Sequence, residues 1–174
     1  MLFRSADEAY VDFCDGTAVG LVGRVPNLVV LRSFSKSYSL AGLRVGLAMT
    51  TPALAAELAK VKDSYNLDRL AQAGALAALE DQATMLANVA KVRATRARLS
   101  AALASMGFRV VPSETNFVLA RGTQGSLEGL ADALKQRGVL VRWFRALPDA
   151  IRISVGTDAQ IDRLLAELGS LVRR

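Results

Sequence analysis

The sequence predicts an α/β fold in two layers, in which short apolar runs alternate with helical segments. Two buried-strand patterns, at 28–34 and 45–49, and a long helical periodicity over 82–106 are the main observations behind this prediction. The chain is 52% hydrophobic and 22% charged, so it has enough apolar side chains to bury a sizeable core.

The first block of the chain contains three predicted strands and a helical region. The alternating "AYVDF" at 9–13 indicates a strand or strand end before the turn signal "CDGT". Thr51 and Pro52 are suited to the N-cap and the first position of a helix. Helical pattern then continues to about Leu79, with a break predicted near "SYNLDR" (64–69).

The long helix at 82–106 is expected to join the first block to a second one, and Gly107 to end it. Its predicted buried stripe is Leu86, Val89, Val92, Leu99 and Leu103. Strands are then predicted at 108–113, 116–121, 139–144 and 151–156, with a helix over 126–138 that begins at N-cap Ser126. In the final helix, Thr157 and Gln160 form a capping box before the buried positions Ile161, Leu164, Leu165 and Leu168. The predicted domains are 1–82 and 83–174.

Composition excludes several kinds of site within this chain. There is no histidine and only one cysteine, Cys14, which excludes histidine-based metal sites, Ser-His-Asp triads, thiolate zinc clusters and internal disulfides. The net charge is +6, but the basic residues are dispersed and fit no nucleic-acid-binding motif, so anionic small ligands are the expected partners. Neither a membrane span nor a signal peptide is predicted, and the expected location is cytoplasmic.

The stretch "RSFSKSYSLAGLRVG" (32–46) follows a predicted buried strand and contains a single lysine, Lys36. A lysine amine in such a place can form a Schiff base with a carbonyl compound, because desolvation or nearby cations favour its neutral, nucleophilic form. A solvated surface turn is the other interpretation. Taken alone, these residues fit the turn better, since lysine side chains are mostly exposed.

Further residues near Lys36 in the sequence favour the chemical interpretation. Ser33, Ser35 and Arg44 provide the hydroxyl donors and guanidinium fork that bind phosphate. Asp7 and Tyr10, in "DEAY", provide a carboxylate for a pyridinium nitrogen and a phenol for a phenolate oxygen. Together these groups match what pyridoxal 5′-phosphate requires of a protein. Taken singly, the aspartate could cap a turn, the tyrosine could pack in a core, and the two serines could occupy any strand edge.

The segments "DEAY" and "LVVLRSFSKSYSLAGLRVG" resemble the cofactor-binding core of the fold-type-I, class I/II aminotransferases. The segments "SETNFVLAR", "GVLVRWF" and "IRISVGT" are similar to the C-terminal domain of that family, and the resemblance is greatest to its histidinol-phosphate subfamily. The resemblance extends from about Asp7 to the last helix. It implies the C-terminal part of the large domain, with a mixed, mostly parallel sheet, followed by the small C-terminal α/β domain.

The resemblance also implies a role for each candidate residue. Lys36 corresponds to the lysine that binds the cofactor aldehyde and then moves the proton between substrate and cofactor. Asp7 corresponds to the partner of the pyridinium nitrogen, Tyr10 to the ligand of the ring 3-oxygen, and Ser33, Ser35 and Arg44 to the phosphate ligands.

Two arginines correspond to substrate ligands. Arg152 is similar to the arginine that binds the substrate carboxylate, and also the phosphate when the substrate is histidinol phosphate, and Arg142 is similar to a second phosphate-binding arginine. Arg142 could equally be a surface strand residue. Asn116 resembles a position near the substrate arginine, although turn chemistry explains it nearly as well.

The implied reaction is transamination between histidinol phosphate and 2-oxoglutarate, so the partners are a small-molecule amino donor and a 2-oxo acid. A phosphothreonine decarboxylase or an aromatic aminotransferase is the alternative within the family, and a catalytically inert fragment is the alternative outside it. The resemblance also implies a homodimer for the full-length enzyme. We expect a chain that corresponds to their C-terminal half, from a shortened reading frame in which "MLFRSA" is a foreign junction and no strand leads into Asp7. Such a chain would expose a sheet edge.

Overall fold

A computed structural model describes residues 3–123 and 125–172. The chain forms two compact units, Met1–Val89 and Ala90–Arg174, and the long helix α3 (Gln82–Ser105) passes from one to the other. The predicted domain boundary at 82/83 lies at the start of this helix and stays a prediction. Both units combine strands and helices, which confirms the α/β prediction.

The first unit contains a three-stranded sheet of β1 (Arg4–Asp7), β2 (Leu28–Ser33) and β3 (Gly46–Met49), in that order. Strand β1 is parallel to β2, whereas β3 is antiparallel to it. The first three residues of β2 are buried, as expected of a central strand with both faces covered, which requires a continuous apolar run rather than alternation.

Two predictions about the start of the chain are wrong. Residues 9–13 do not form a strand, because Val11–Phe13 is a short 3-10 helix that follows a turn. The strand lies earlier, and Arg4–Asp7 pairs with Leu28–Leu31, so a strand does lead into Asp7. Its sequence, "RSAD", has no apolar alternation, and only its backbone pairing with β2 identifies it. Met1 and Leu2, the start of the predicted junction, lie outside the described residues.

Local capping fixes the helices of the first unit. Helix α1 (Pro52–Val61) begins after Thr51, whose side chain accepts from the Leu54 amide, and has a proline in its first turn. Helix α2 (Arg69–Glu80) begins after Asp68, whose carboxylate accepts from the Ala71 amide at 2.9 Å. The predicted break between the two helices is therefore confirmed. A small core cluster of this unit consists of Phe34, Val45, Ala71 and Ala75.

The second unit contains an antiparallel sheet of four strands: β4 (Arg109–Val111), β5 (Phe117–Arg121), β6 (Arg142–Phe144) and β7 (Leu147–Ser154). The strand order is β4-β5-β7-β6, and the β6–β7 pairing shifts register between Trp143 and Phe144. Strand β6 is shorter than the predicted 139–144, and β7 begins before the predicted residue 151, because the two form a hairpin with a tight connection.

One face of this sheet packs against helices. The buried strand residues form a core cluster with the second half of α3, with α4 (Glu128–Gln136) and with α5 (Asp158–Val172). The largest fully buried side chains of the cluster are Leu99, Leu103, Leu134, Ile151, Leu168 and Val118. The opposite face carries the half-buried Phe117, Leu119, Arg121 and Arg152. This open face is where the second unit presents its candidate ligands.

The helix ends of the second unit agree largely with the predictions. The Thr157–Gln160 capping box is confirmed: the Thr157 amide donates to the glutamine carbonyl at 2.9 Å, and the Gln160 amide donates to the threonine hydroxyl at 3.4 Å. Helix α4 begins after Leu127, not at Ser126, whose hydroxyl instead accepts from the Glu128 amide.

The predicted stripe of α3 is buried at four of its five positions at least in part, but Leu86 is 60% exposed and its predicted burial is wrong. Helical periodicity indicates which face of a helix is apolar, but not how far along the helix that face is covered. Within the described residues, no helix is both long enough and apolar enough to cross a bilayer.

Candidate active site

Parallel pairing brings two of the predicted segments to the same end of the sheet, the carboxyl end of β1 and β2. Strands β1 and β2 run in the same direction, with Asp7 in register with Leu31. The turn that carries Tyr10 follows β1, and the loop that carries Lys36 follows β2. In open α/β sheets, ligands bind outside the carboxyl ends of the parallel strands. The first unit therefore places its candidate residues where such a fold normally binds a ligand.

The side chain of Lys36 lies against Tyr10. Its Nζ atom is 5.5 Å from the centre of the tyrosine ring, within the range at which an ammonium is attracted to an aromatic face. Both side chains are partly buried. The structure therefore brings together the predicted nucleophile and the predicted phenol, although they are 26 residues apart in the sequence.

Asp7 and Ser33 end the two parallel strands, and each also orders the backbone that follows it. The Asp7 carboxylate accepts from the Ala9 amide at 2.9 Å through Oδ1, which is the turn-capping role that its sequence context allowed. The Ser33 hydroxyl accepts from the Ser35 amide at 3.1 Å. A carboxylate has two acceptor oxygens and a hydroxyl is also a donor, so both groups can still bind a ligand.

Arg44 adopts an unusual backbone conformation. Its φ angle is +56°, in the left-handed region that residues other than glycine seldom occupy. Its Nη1 atom donates to the Ala41 carbonyl at 2.8 Å, and the residue is exposed. Strained positions of this kind are concentrated at functional sites, where the surrounding structure maintains them. A guanidinium has five N–H donors, so the bond to Ala41 leaves donors for an anion.

A partly buried ion pair connects the carboxyl ends of β1 and β2. The Glu8 carboxylate accepts from Arg32 Nε at 3.0 Å and from the Thr17 hydroxyl at 3.0 Å, and it also accepts from the Ala18 amide. Its side chain is only 9% exposed. Glu8 follows Asp7 and Arg32 precedes Ser33 in the chain, so this pair holds two predicted cofactor ligands at the same edge.

The environment of Glu8 shifts its titration. Burial acts to raise the pKa of Glu8, but hydrogen bonds from the Ala18 amide, Arg32 and Thr17 outweigh it and leave the pKa below its ordinary value. A carboxyl with a depressed folded pKa stabilises the fold above its unfolded pKa, and that stabilisation is lost as the pH falls through the folded pKa.

We therefore expect Glu8→Gln to remove an acid-sensitive part of the first unit's stability. At neutral pH the variant should lose roughly 1.5 kcal/mol, because a hydrogen bond to a charged group contributes about that much. Hydrogen exchange of β1 and β2 peptides, corrected for intrinsic rates, measures this. Wild-type protection should decrease below the ordinary glutamate pKa, and the variant's should change less there. Peptides from β5, in the second unit, should respond to pH identically in both proteins; equal pH responses in β1 would contradict the prediction.

In the second unit, Arg142 and Arg152 lie side by side. They are register partners on β6 and β7, and their guanidinium carbons are 5.6 Å and 5.9 Å from the ring centre of Phe144. Arg152 also lies 5.1 Å from the ring centre of Phe117. Like charges directly opposite each other across a strand pair repel, so an anion bound between them would relieve an existing repulsion.

A second arginine pair on the same sheet provides a contrast. Arg109 and Arg121 are also register partners, but Arg121 forms an ion pair with Asp149, with Nε 2.7 Å from Oδ2. Within residues 3–123 and 125–172, neither Arg142 nor Arg152 has a carboxylate partner. Of these two arginine pairs, the one predicted to bind substrate is the one without an internal counter-ion.

Asn116 lies just before β5, and its carbonyl accepts from the Val155 amide at 2.9 Å. This backbone bond extends the β5–β7 pairing by one residue, so the position has a structural role whatever its side chain does.

Comparison with known proteins decides the family. The sequence model of the family described as aminotransferase class I and II matches residues 4–168. The chain belongs to this family. The match begins within β1, so the strand that the sequence alone did not predict is part of the family pattern.

Several relatives of this aminotransferase-family chain are histidinol-phosphate aminotransferases. It is 48% identical over 167 residues to the one from Synechocystis sp., covering 95% of this chain and 48% of the relative. It is 50% identical over 171 residues to histidinol-phosphate aminotransferase 2 of Thiobacillus denitrificans, covering 95% and 48%. The chain thus spans about half the length of the curated relatives that it matches.

Solved structures confirm the fold. The histidinol-phosphate aminotransferase of Sinorhizobium meliloti in complex with pyridoxal-5′-phosphate superposes with a TM-score of 0.87 at 30% identity, covering 98% of this chain and 49% of that one. The L-threonine-O-3-phosphate decarboxylase of Porphyromonas gingivalis superposes with a TM-score of 0.85 at 25% identity, covering 98% and 55%. The predicted fold, part of the fold-type-I large domain followed by the small domain, is therefore confirmed.

The described residues of the first unit fit the cofactor of this family. On the pyridine ring of pyridoxal phosphate, the aldehyde and the 3-oxygen are on adjacent carbons, so an amine that binds the aldehyde and a donor to the 3-oxygen must lie close together. Lys36 and Tyr10 meet that requirement. The phosphate-bearing carbon flanks the aldehyde on its other side. Ser33, the last residue of β2, and Ser35, in the loop that follows, lie three residues and one residue before Lys36 in the sequence. The assignment of individual ligands stays a prediction.

Sequence reasoning missed the contacts that hold the site together. Arg32 gave a partial signal, because an arginine directly after the apolar run 28–31 requires a partner, but the sequence did not indicate that the partner is Glu8. The hydrogen bond from Ser37 to Asp12 had none, because it joins residues 25 positions apart on two irregular segments.

Proposed function

We propose that this chain carries the cofactor lysine and the substrate arginines of a pyridoxal-phosphate-dependent aminotransferase acting on histidinol phosphate and 2-oxoglutarate. The observation that carries the proposal is the Lys36 amine lying on the Tyr10 ring at the carboxyl edge of the β1–β2 pair. The relatives' names support the choice of substrate, since they are histidinol-phosphate aminotransferases at 46–50% identity.

The cofactor, when bound, supplies an aldehyde and a ring that accepts electrons. Each candidate residue of the protein has a separate proposed role. The Lys36 amine would hold the aldehyde carbon of the bound cofactor, and it would serve as the acid–base group for the proton of the substrate α-carbon. The Asp7 carboxylate stabilises a protonated ring nitrogen, and the Tyr10 hydroxyl donates to the 3-oxygen. Ser33, Ser35 and Arg44 bind the phosphate.

The Arg142–Arg152 pair is suited to a doubly charged substrate group. Two adjacent guanidinium groups can each donate paired N–H bonds to a phosphate dianion, and their mutual repulsion decreases when it binds. Stacking against Phe144 restricts both side chains, which reduces the entropy lost on binding. The phosphate of histidinol phosphate is therefore the proposed ligand of this pair. Arg152 is also proposed to bind the carboxylate of the amino-acid partner.

Family membership implies an amino donor and a 2-oxo acid as reactants. A homodimeric assembly and a cytoplasmic location are part of the proposal and follow from the resemblance to the full-length enzymes. A phosphothreonine decarboxylase is the alternative within the family. The structural similarity to the Porphyromonas gingivalis decarboxylase supports this alternative. A chain that binds the cofactor without catalysis is the other alternative, since this chain spans about half the length of its relatives.

One experiment separates these possibilities. The purified chain, loaded with pyridoxal phosphate, is mixed with histidinol phosphate, glutamate or phosphothreonine, and conversion of the cofactor to its amino form is followed by absorbance together with release of carbon dioxide. Conversion by histidinol phosphate and by glutamate, without carbon dioxide, is the expected result. Carbon dioxide from phosphothreonine would favour the decarboxylase. Cofactor binding at Lys36 without conversion by any substrate would show that the chain is inert.

A further inference from the structure

Ser37, the residue after Lys36, has a buried hydroxyl with a specific partner. The residue is 4% exposed, and its Oγ atom donates to the Asp12 carboxylate. Buried hydroxyl groups in native proteins are hydrogen-bonded, because an unpaired one costs free energy. A carboxylate oxygen accepts and a hydroxyl can donate, so Ser37 is the donor of this bond.

Asp12 belongs to the segment that carries Tyr10. Tyr10 is the N-cap of the 3-10 helix Val11–Phe13, and the Phe13 amide donates to its carbonyl at 3.0 Å. Phe13 is 2% exposed, so a core side chain anchors this helix. The backbone of Tyr10 and that of Asp12 are therefore held in one short helical turn.

Lys36 lies within a loop that closes on itself. The Leu40 amide donates to the Phe34 carbonyl at 3.0 Å, and the Ser39 amide donates to the Lys36 carbonyl at 3.1 Å. Phe34 is 2% exposed, and its ring centre is 4.9 Å from that of Tyr38. The loop is compact, but these contacts are internal to it or directed to its own core cluster. The Ser37–Asp12 bond is a side-chain connection between this loop and the segment that carries Tyr10.

We propose that Asp12 and Ser37 are positioning residues, whose hydrogen bond holds the Lys36 amine on the Tyr10 ring. The proposal rests on the function proposed above, because it assigns a purpose to that placement. Lys36 is next to Ser37 in the chain and Tyr10 is two residues before Asp12, so loss of the bond lets the two segments separate. A displacement of about 1 Å at a reacting group can lower a rate by about 100-fold.

The test uses the 174-residue chain and two readouts. The first needs no cofactor: brief acetylation with acetic anhydride, followed by peptide mass spectrometry, gives the labelling of Lys36 relative to Lys60, whose side chain is 65% exposed. The second is the rate at which pyridoxal phosphate becomes fixed to Lys36 after borohydride quenching. The variants are Ser37→Ala, Asp12→Ala and their double mutant. Urea unfolding establishes conditions in which each variant is folded.

A matched control exists in the same unit. The Thr50 hydroxyl donates to the Leu28 carbonyl at 2.6 Å, at the opposite end of β2 from Lys36. Thr50→Val removes this partly buried hydrogen bond and should decrease stability without changing either readout. Ser37→Cys retains the size of the side chain with a weaker donor, and Asp12→Asn retains an acceptor oxygen. If an alanine variant does not fold, the corresponding one of these two variants is measured in its place.

The expected result is a threefold or larger rise in relative acetylation of Lys36 in Ser37→Ala and in Asp12→Ala, with no further rise in the double mutant. Fixation of pyridoxal phosphate should slow about tenfold in the same variants. Asp12→Asn should stay near wild type, and Ser37→Cys should lie between wild type and Ser37→Ala. Unchanged acetylation in every folded variant would overturn the positioning role. Failure of wild-type Lys36 to take up the cofactor would instead overturn the proposed function. The two failures can be distinguished, because the acetylation ratio reports on positioning without any cofactor.

Discussion

Replacement of Lys36 by alanine is expected to decrease the rate of amino transfer from histidinol phosphate by about 100-fold to 10,000-fold or more. A positioned acid–base group contributes a factor in this range. The decrease should exceed that of a pure acid–base variant, because the same amine is also proposed to form the covalent bond to the cofactor. The measurement is the single-turnover rate of cofactor conversion in the chain loaded with pyridoxal phosphate.

Lys60→Ala is the matched control. Lys60 lies on α1 in the same unit, and its ammonium forms an exposed ion pair with Glu57. Exposed pairs of this kind contribute little to stability, so the control should retain its rate within about twofold. Equal losses in the two variants would contradict a catalytic role for Lys36, as would a Lys36→Ala variant with wild-type turnover.

Replacement of Arg142 by alanine should select against phosphorylated substrates. Loss of a charge-assisted hydrogen bond costs roughly 1.5–3 kcal/mol, which is about a 10-fold to 150-fold rise in KM for histidinol phosphate. The KM for an unphosphorylated amino donor such as glutamate should change less than about threefold on the same reasoning. Steady-state assays with both donors give the two values.

Arg152→Ala should weaken both donors, because Arg152 is proposed to bind the carboxylate as well as the phosphate. Arg109→Ala is the control for both variants: Arg109 also faces an arginine across the sheet, but its partner, Arg121, is already neutralised by Asp149. The control should leave both KM values unchanged. A loss in Arg142→Ala that is equal for phosphorylated and unphosphorylated donors would contradict the assignment.

The sequence predicted those elements that depend on local signals. Capping side chains begin α1 and α5 as expected, because Thr51 and the Thr157–Gln160 pair bond to amides within three residues. Strand β1 could not be predicted, since only its backbone pairing with β2 identifies it. The five alternating residues at 9–13 were too short a pattern to distinguish a strand from a turn followed by a 3-10 helix.

In the candidate site, too, the contacts that depend on long-range pairing could not be predicted from local signals. That Lys36 and Tyr10 lie together follows from the parallel pairing of β1 with β2, and the sequence had indicated no strand before Asp7. That Arg142 lies opposite Arg152 depends on a strand register with an irregularity at Trp143, which no hydrophobic pattern can specify. The Glu8–Arg32 and Asp12–Ser37 bonds are long-range contacts between polar side chains, and sequence spacing contains no information about them.

The proposed covalent bond between Lys36 and the cofactor can be tested directly. The chain is incubated with a slight excess of pyridoxal phosphate, reduced with borohydride, digested and mapped by peptide mass spectrometry. We expect close to one pyridoxyl group per chain, on Lys36. In Lys36→Ala we expect no pyridoxyl group on any other lysine in its place. A label distributed over Lys60, Lys62, Lys91 and Lys135, or one that is equally abundant in Lys36→Ala, would contradict the proposal that Lys36 is the cofactor lysine.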